Sequence, residues 1–413
     1  MRLKMDVWII DHYSVPIEYY PLARQRNFAK YLIKKGHNVT IFAASSVHNS
    51  SINLIDENLL HKEMFDGDIR YVLIKCHSYT GNGIKRIFNM LEFAYKLKTV
   101  CGEYKKPDII ISTSMTQFAC AQGILMARKY GCKVIAQITD LWPETIVAWG
   151  LASRYNPIIL ALRYLEKWTY KSADKVIFSM EGAYNYIKEQ GWESDIPEDK
   201  VHYINNGVDL EDFCENAEKY RIQDDDLKSL NKFKVIYTGS IRKDNNLDLL
   251  LDIAKCIKNP DVIFLVFGDG DELAHLKQRV KDEEILNVIF KGRVGKKYIP
   301  YIVKCADLNY AHNNQLGIFK YGISLNKIFD YFAAGKPIIS DFYSGYNPIV
   351  EENAGINVES GELHAVADAI ERIAVLPESE YNLYCANAMK AAQKYSFKNL
   401  TDRLEKIMFD LVQ

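Results

Sequence analysis

The sequence lacks most of the features that place a protein at a glance. None of its 413 residues falls in a run approaching the roughly 18 to 20 apolar residues that a membrane-spanning helix needs. The N-terminus, MRLKMDVWIIDHYSV, has only a short apolar run before Asp11, too little for a signal peptide. The eight cysteines (76, 101, 120, 132, 214, 256, 305 and 385) are scattered without a CxxC spacing, which argues against a zinc site or a redox motif. With no leader, a disulfide framework is not expected in so long a chain, and a reducing cytoplasm is the expected compartment. A formal net charge of -1 leaves no global basic field to hold nucleic acid. Glycine is missing where a dinucleotide would need it. The first strand runs into HYSVPIEYYPLARQR, and a second sheet opens with Tyr237-Thr238-Gly239-Ser240, neither carrying the GxGxxG turn that lets bare backbone approach a pyrophosphate. A dinucleotide-dependent oxidoreductase is therefore disfavoured.

What is present is a regular alternation. Short apolar, β-rich runs (DVWIID, NVTIFAAS, DIRYVLIK, DIIISTS, KVIAQIT, KVIFSM, KVHYINN) are separated by amphipathic helical stretches such as ARQRNFAKYLIKKGH. A second series follows: KVIYTGS, VIFLVFGD, NVIFKGRV, DLNYAH, PIISDF and GINV, with helices NLDLLLDIAKCIKN and DELAHLKQRVKDE between them. Several runs are apolar without alternation, as in strands buried on both faces of a parallel sheet. Thirteen strands are too many for one comfortable open sheet. The reading is α/β, with two Rossmann-like doubly wound domains and ligands at the strand carboxyl ends, facing each other across a cleft. The acidic stretch 209–232 reads as a linker or a loop with short helices. It puts the boundary near Gly207, giving an N-terminal domain over 1–207 and a C-terminal domain over 208–396. The closing helix, 397–413, has no sheet partner of its own and is expected to cross back onto the first domain.

Arg24 with AKYLIKKGHNVTIF, then YTGNGIKRIFNM, ITDLWPET, NNGVD, YTGSIRKDNNLDLLL, VFGDGDE, FKGRV and YGISLNKIFDYFAAGKP occur in this order along essentially the whole chain. In these motifs the sequence resembles glycosyltransferase family 4, retaining enzymes of the GT-B fold, and within it a subgroup that assembles bacterial capsule and O-antigen polysaccharides. The resemblance implies a nucleotide-sugar donor in the C-terminal domain and a glycan acceptor in the first, on a polyprenyl diphosphate carrier. A UDP-linked, N-acetylated sugar is favoured.

The last motif carries the most chemistry. A loop with Gly322, Ile323, Ser324 and Leu325 enters a helix through Asn326 and Lys327, and that helix holds Asp330. The unpaired N–H groups and partial positive charge of a helix N-terminus suit a diphosphate. Asp330 fits the second acid of the family's acidic pair, placed to accept from ribose hydroxyls, whereas the place of the first acid is Gly322. That departure puts the donor sugar in doubt and shifts part of the load to Asn326 and Lys327. The bland alternative is an N-cap at Ser324 with Ile328 and Phe329 facing the core. Relatives place an arginine and a lysine where this chain has Ser240 and Asn245. Arg242 is the preferred substitute beside Gly239, and Lys243 is equally a solvated turn residue. Gly268 and Gly270 either admit the donor or merely turn the chain, and the resemblance puts the base near Arg293 and Val294.

The candidate acceptor contacts are Arg24, Asn82, Arg86, Asp140 and Glu144. Asp140, at a strand end, would be catalytic together with Arg242 and Lys327, or else would cap the helix after Pro143. Arg24 would reach an acceptor phosphate, or else form a salt bridge on a solvated helix. His37 reads as structural, and His312 is left open. No cofactor or metal is expected, and the acidic clusters at 211–213 and 224–226 read as solvated charge. The resemblance implies front-side displacement, in which the leaving diphosphate takes the acceptor proton. Two stretches, GNGIKRIFNMLEFAYKLKTV and NPIILALRYLEKWTYKSA with Trp168 and Tyr170, are basic and amphipathic. They pack on the sheet or rest on the inner face of the plasma membrane. The rival readings are a nucleotide-sugar epimerase of the same architecture and a non-catalytic subunit of a polysaccharide assembly complex.

Overall fold

A computed structural model describes residues 4–19, 24–56, 58–359 and 361–412. Ala23 and Gln413, at the ends of two expected helices, lie outside the described residues. The chain forms two compact units, one of Met1–Asn205 with Phe397–Gln413 and one of Asn206–Ser396.

The first unit carries β1 (Asp6–Ile10), β2 (Asn38–Ala44), β3 (His61–Asp66), β4 (Ile69–Ile74), β5 (Ile109–Thr113), β6 (Lys133–Ile138), β7 (Lys175–Phe178) and β8 (Val201–Tyr203). They pair in the order β3-β4-β2-β1-β5-β6-β7-β8. All neighbours are parallel except β3, which runs antiparallel to β4 at the edge. The helices are α1 (Arg24–Lys34), α2 (Ile84–Val100), α3 (Gln117–Tyr130), α4 (Glu144–Ala148), α5 (Pro157–Ser172) and α6 (Ala183–Glu189). Strand residues on one face, Val7, Ile9, Ile41 and Ile111, share a core with Phe28 and Leu32 of α1. Phe397, Leu400 and Leu404 of the closing helix join the same core. His37 belongs to this packing. Its Nδ1 accepts from Met5 N at 3.2 Å, and its Nε2 meets Glu405 at 3.0 Å. On the other face Trp8 contacts the rings of Phe42 and Tyr130.

The second unit carries β9 (Phe233–Thr238), β10 (Val262–Phe267), β11 (Val288–Gly292), β12 (Leu308–Ala311), β13 (Ile338–Ser340) and β14 (Gly355–Asn357). Its order is β11-β10-β9-β12-β13-β14, parallel throughout. Its helices begin with α7 (Leu210–Lys219), α8 (Asp225–Lys228), α9 (Asp248–Cys256), α10 (Leu273–Asp282) and α11 (Ile299–Lys304). They continue with α12 (Asn326–Ala334), α13 (Pro348–Glu351), α14 (Leu363–Ala374) and α15 (Glu378–Lys394); α16 (Phe397–Val412) is the closing helix of the first unit.

The acidic stretch 209–232 carries the short helices α7 and α8, one of the two readings offered for it, but two other expectations need correcting. Its acids have work in the chain. Asp209 caps α7 through the amides of Glu211 and Asp212, and Asp224 caps α8. Asp224 and Asp226 are not solvated charge either, since both bind Lys291, at 2.8 and 2.5 Å. The strand missing from the sequence reading is β3, HKEMFD, whose mostly polar, accessible residues give no apolar run.

Candidate functional site

Because the second sheet is parallel, the loops after β9, β10, β12 and β13 gather at one edge. The β9 and β10 loops touch backbone to backbone. Gly239 N donates to Phe267 O at 3.0 Å, Ile241 N to Asp269 O at 2.9 Å, and Gly268 N to Gly292 O at 2.9 Å. A Cβ on Gly268 would lie 1.9 Å from Gly239 O, and one on Gly270 would lie 2.0 Å from Ile241 O. These two glycines are required by loop packing. Asn245 braces the same turn by donating to the carbonyl and hydroxyl oxygens of Ser240, at 2.8 and 2.7 Å.

The loop entering α12 is built around Gly322, which is buried with φ +113°, a backbone region that side chains disfavour. A side chain substituted at this position would have to adopt a strained conformation or shift the loop. Ile323 is core, and Leu325 packs at the margin of the same cluster. Ser324 is turned away from the helix, accepting from Asn206 N at 3.3 Å, while Asn206 Nδ2 donates to its carbonyl at 3.0 Å. The N-cap is Leu325, which makes no side-chain cap, so the expectation of a cap at Ser324 is corrected. Ile328 and Phe329 do face the core. Asn326 is exposed on the first turn.

Lys327 reaches from that first turn back to the β9 loop. Its Nζ lies 4.0 Å from the Tyr237 ring centroid and would sit 2.9 Å from a Cβ at Gly239. Burial lowers its pKa to about 7, against the charge of Asp341. Tyr331 fastens α12 to β9 by accepting from Thr238 N at 3.0 Å. One turn on from Lys327, burial raises the Asp330 carboxyl to about 6, opposed by Lys296. The structure thus brings together Gly239, Ser240, Lys327 and an α12 N-terminus free of any side-chain cap. Arg242, Lys243 and Arg293 are exposed, and Val294 packs against the core.

Beneath the site lies a buried group the sequence reading did not assemble. His312 Nδ1 meets Asp341 Oδ2 at 2.6 Å, and Tyr310 donates to the same oxygen. The two residues stand at the ends of neighbouring strands, which was the available signal.

In the first unit Asp11 is buried at the end of β1, accepts from Tyr13 N at 3.0 Å, and has its pKa raised by burial. His12 meets Asn89 Oδ1 at 2.6 Å, and burial depresses its pKa to about 3, so the ring is neutral. Arg86 donates to Asn82 Oδ1 at 2.8 Å and to the Tyr13 hydroxyl at 3.2 Å, which gathers those three residues beside β1. Arg24 donates to the carbonyls of Asn205 and Ile204 at 2.7 and 2.8 Å, and burial lowers its pKa to about 9. Those partners are backbone oxygens, not a salt bridge on a solvated helix. Asp140 is exposed at the rim of a recess shared with Ser114, Gln117, Trp142, Glu166 and Tyr170. The protein around it still raises its pKa by desolvation. It does not cap α4, whose N-cap is Pro143. Glu144 forms an ion pair with Arg163. Glu166, another residue without a sequence signal, accepts from the Tyr170 and Tyr186 hydroxyls at 2.7 and 3.0 Å. Burial raises it to about 8.

Among the described residues one group, Asp248, Glu272 and His275, brings three potential metal ligands together. Arg279 already donates to Asp248 at 2.8 Å.

Comparisons with known proteins agree with this architecture. Residues 25–212 match the family model Glycosyltransferase Family 4, and residues 218–391 match Glycosyl transferases group 1. Glycosyltransferase family models thus match most of each of the two units. It is 21% identical over 303 residues to the probable glycosyltransferase WbjE of Pseudomonas aeruginosa, covering 71% of this chain and 72% of that protein. It is 22% identical over 316 residues to the putative colanic acid biosynthesis glycosyl transferase WcaI of Escherichia coli, covering 71% and 74%. Among solved structures, Anabaena HepE in complex with UDP and glucose matches with a TM-score of 0.67 at 17% identity, covering 98% of this chain and 100% of that one. A UDP-forming trehalose-phosphate synthase from Burkholderia xenovorans matches with a TM-score of 0.72 at 12% identity, covering 100% of both chains. The fold is GT-B, two parallel-sheet α/β domains.

Proposed function

We propose that this chain is a retaining glycosyltransferase that moves a sugar from a UDP-sugar to a bacterial surface glycan carried on a polyprenyl diphosphate. The observation that carries the proposal is the meeting of Lys327 with Gly239 at the N-terminus of α12. A diphosphate seated there takes the amides of the first turn on one side and the Lys327 ammonium on the other. Asp330 accepts from the ribose hydroxyls. Arg242, on the turn after Gly239, adds a second cation as the leaving diphosphate gains charge, which lowers the barrier to glycosidic cleavage. The bond to the acceptor oxygen forms on the face the diphosphate leaves, and the acceptor proton passes to the departing phosphate oxygen. With these cations in place the reaction needs no metal ion. Asp140 and the Arg86–Asn82–Tyr13 group are the proposed acceptor contacts.

The choice of UDP is supported by the solved relatives described with UDP and UDP-glucose. The surface-glycan acceptor is supported by the likeness to a glycosyl transferase named for colanic acid biosynthesis. The chain is placed at the inner face of the plasma membrane, where such an acceptor resides. No helix among the described residues is long and apolar enough to cross a membrane. The test is transfer of label from a panel of plain and N-acetylated UDP-sugars into a lipid-extractable product, with EDTA present. Label appearing with one donor supports the reading; epimerised free nucleotide sugar without product removes it.

A further inference from the structure

We infer that the face formed by α2, α3 and α5 is a docking surface for an anionic lipid bilayer. The three helices are neighbours in one layer, with α3 packed against both α2 and α5. The buried stripe of α2, with Phe93, Leu97 and Val100, satisfies the sheet. A second apolar stripe then points outward: Ile84 is 67% exposed, Phe88 64%, Leu91 43% and Tyr95 79%. On α5, Ile158 is 69% and Tyr164 76% exposed. Residues 84, 88, 91 and 95 follow helical spacing, so they form one continuous strip. About half of the large apolar side chains exposed among the described residues lie on these helices and the turn before α5, so they form a patch and are not scattered singly.

The charge on this face names the occupant. The three helices hold nine basic residues and two acidic ones, in a chain whose net charge is -1. Neither acid is available to repel a negative surface. Glu92 is bound by Lys96 at 2.7 Å, and Glu166 is buried between two tyrosines. Exposed Lys85 and Lys98 flank the apolar strip on α2, and α3 adds exposed Arg128 and Lys129. The α5 cations are not available in the same way, since Arg163 is paired with Glu144, and Lys167 and Lys171 with Asp195. An apolar strip on α2 bordered by Lys85, Lys98, Arg128 and Lys129, none of them in an ion pair among the described residues, fits the headgroup region of an anionic leaflet. The α2 end of the face starts at Asn82 and Arg86, which meet Tyr13 beside the first unit's strand ends. Docking would hold those proposed acceptor contacts at the height of lipid headgroups. The inference rests on the lipid-carrier reading only for its purpose, and its test is independent of turnover.

The test is co-sedimentation of the full chain with vesicles of phosphatidylcholine containing 30% phosphatidylglycerol, against phosphatidylcholine alone, at low and high salt. Binding is expected to the anionic vesicles, to fall at least tenfold at high salt, and to fall likewise in Phe88→Ser/Tyr95→Ser and in Lys85→Glu/Lys98→Glu. Each variant should keep the wild-type melting temperature and its thermal shift with a UDP-sugar, because the altered side chains are exposed. No binding to anionic vesicles, equal binding to neutral ones, or undiminished binding by both folded variants would overturn the inference. So would a dimer in sedimentation velocity that Phe88→Ser/Tyr95→Ser dissociates, which would make the face a self-contact. If docking fails while transfer to a soluble acceptor analogue succeeds, the surface assignment is wrong and the enzymatic one stands.

Discussion

Binding of a UDP-sugar should change the protonation of the protein, with a sign that reverses within one pH unit. Lys327 has its pKa lowered to about 7 by burial, so about a quarter of free molecules carry the ammonium at pH 7.5. A diphosphate beside Nζ favours the charged form, and complexation at that pH should take up about 0.7 proton. Asp330, raised to about 6, is already almost wholly ionised there and contributes little. At pH 6 the balance inverts. Lys327 is then about nine-tenths charged, while half of Asp330 is protonated and loses its proton on accepting ribose hydroxyls, giving a net release of about 0.4 proton. The crossover falls near pH 6.5. Isothermal calorimetry in two buffers of different ionisation enthalpy reads the proton count. An intact UDP-sugar is the right ligand, because its phosphodiester groups do not titrate in this range. Lys327→Met should abolish uptake at pH 7.5 and lower kcat/KM by about 10²–10³-fold, the usual cost of removing one preorganised charge donor. Uptake below about 0.2 proton at pH 7.5, or uptake unchanged in Lys327→Met, would refute the placement of the diphosphate.

Three further outcomes are expected. Free-enzyme kcat/KM should be bell-shaped with limbs near 6 and 7, from Asp330 and Lys327; Asp330→Asn should lose the acid limb and about 10–100-fold in kcat/KM, seen in steady-state pH profiles. Gly268→Ala should lower the melting temperature by several degrees, a cost of about 2–3 kcal/mol, because the new methyl meets the Gly239 carbonyl. Glu166, at about 8 against an ordinary 4.5, is raised, so its contribution is full below the unfolded pKa and is lost as pH rises through about 8. Denaturant unfolding of the wild type should lose on the order of 2 kcal/mol between pH 6 and 9, and Glu166→Gln should flatten that slope.

The sheet strands were legible because buried parallel strands leave dense apolar runs, and thirteen of them were found this way. β3 was not, since an accessible edge strand with Lys62, Glu63 and Asp66 has no apolar run to read. The donor segment was legible as a loop entering a helix, but its detail was not. A cap at Ser324 is what local preference suggests, and tertiary hydrogen bonds to Asn206 draw that residue elsewhere. Gly322 could be seen as a missing acid, while the backbone it adopts there, at φ +113°, needed coordinates. Lys327 over Tyr237 and His312 against Asp341 join positions 90 and 29 residues apart, and no local pattern records such pairs. Gly268 and Gly270 read equally well as ligand-facing or structural until the opposing carbonyls of Gly239 and Ile241 were located.

The central claim is tested most directly by single-turnover transfer from labelled UDP-sugars to a polyprenyl-diphosphate-linked acceptor, with the product anomer assigned by NMR and Lys327→Met run in parallel. The account predicts one UDP-sugar that yields product with the donor's anomeric configuration, and transfer that collapses in Lys327→Met while its melting temperature is kept. Inverted product, or full transfer by a folded Lys327→Met protein, would contradict it.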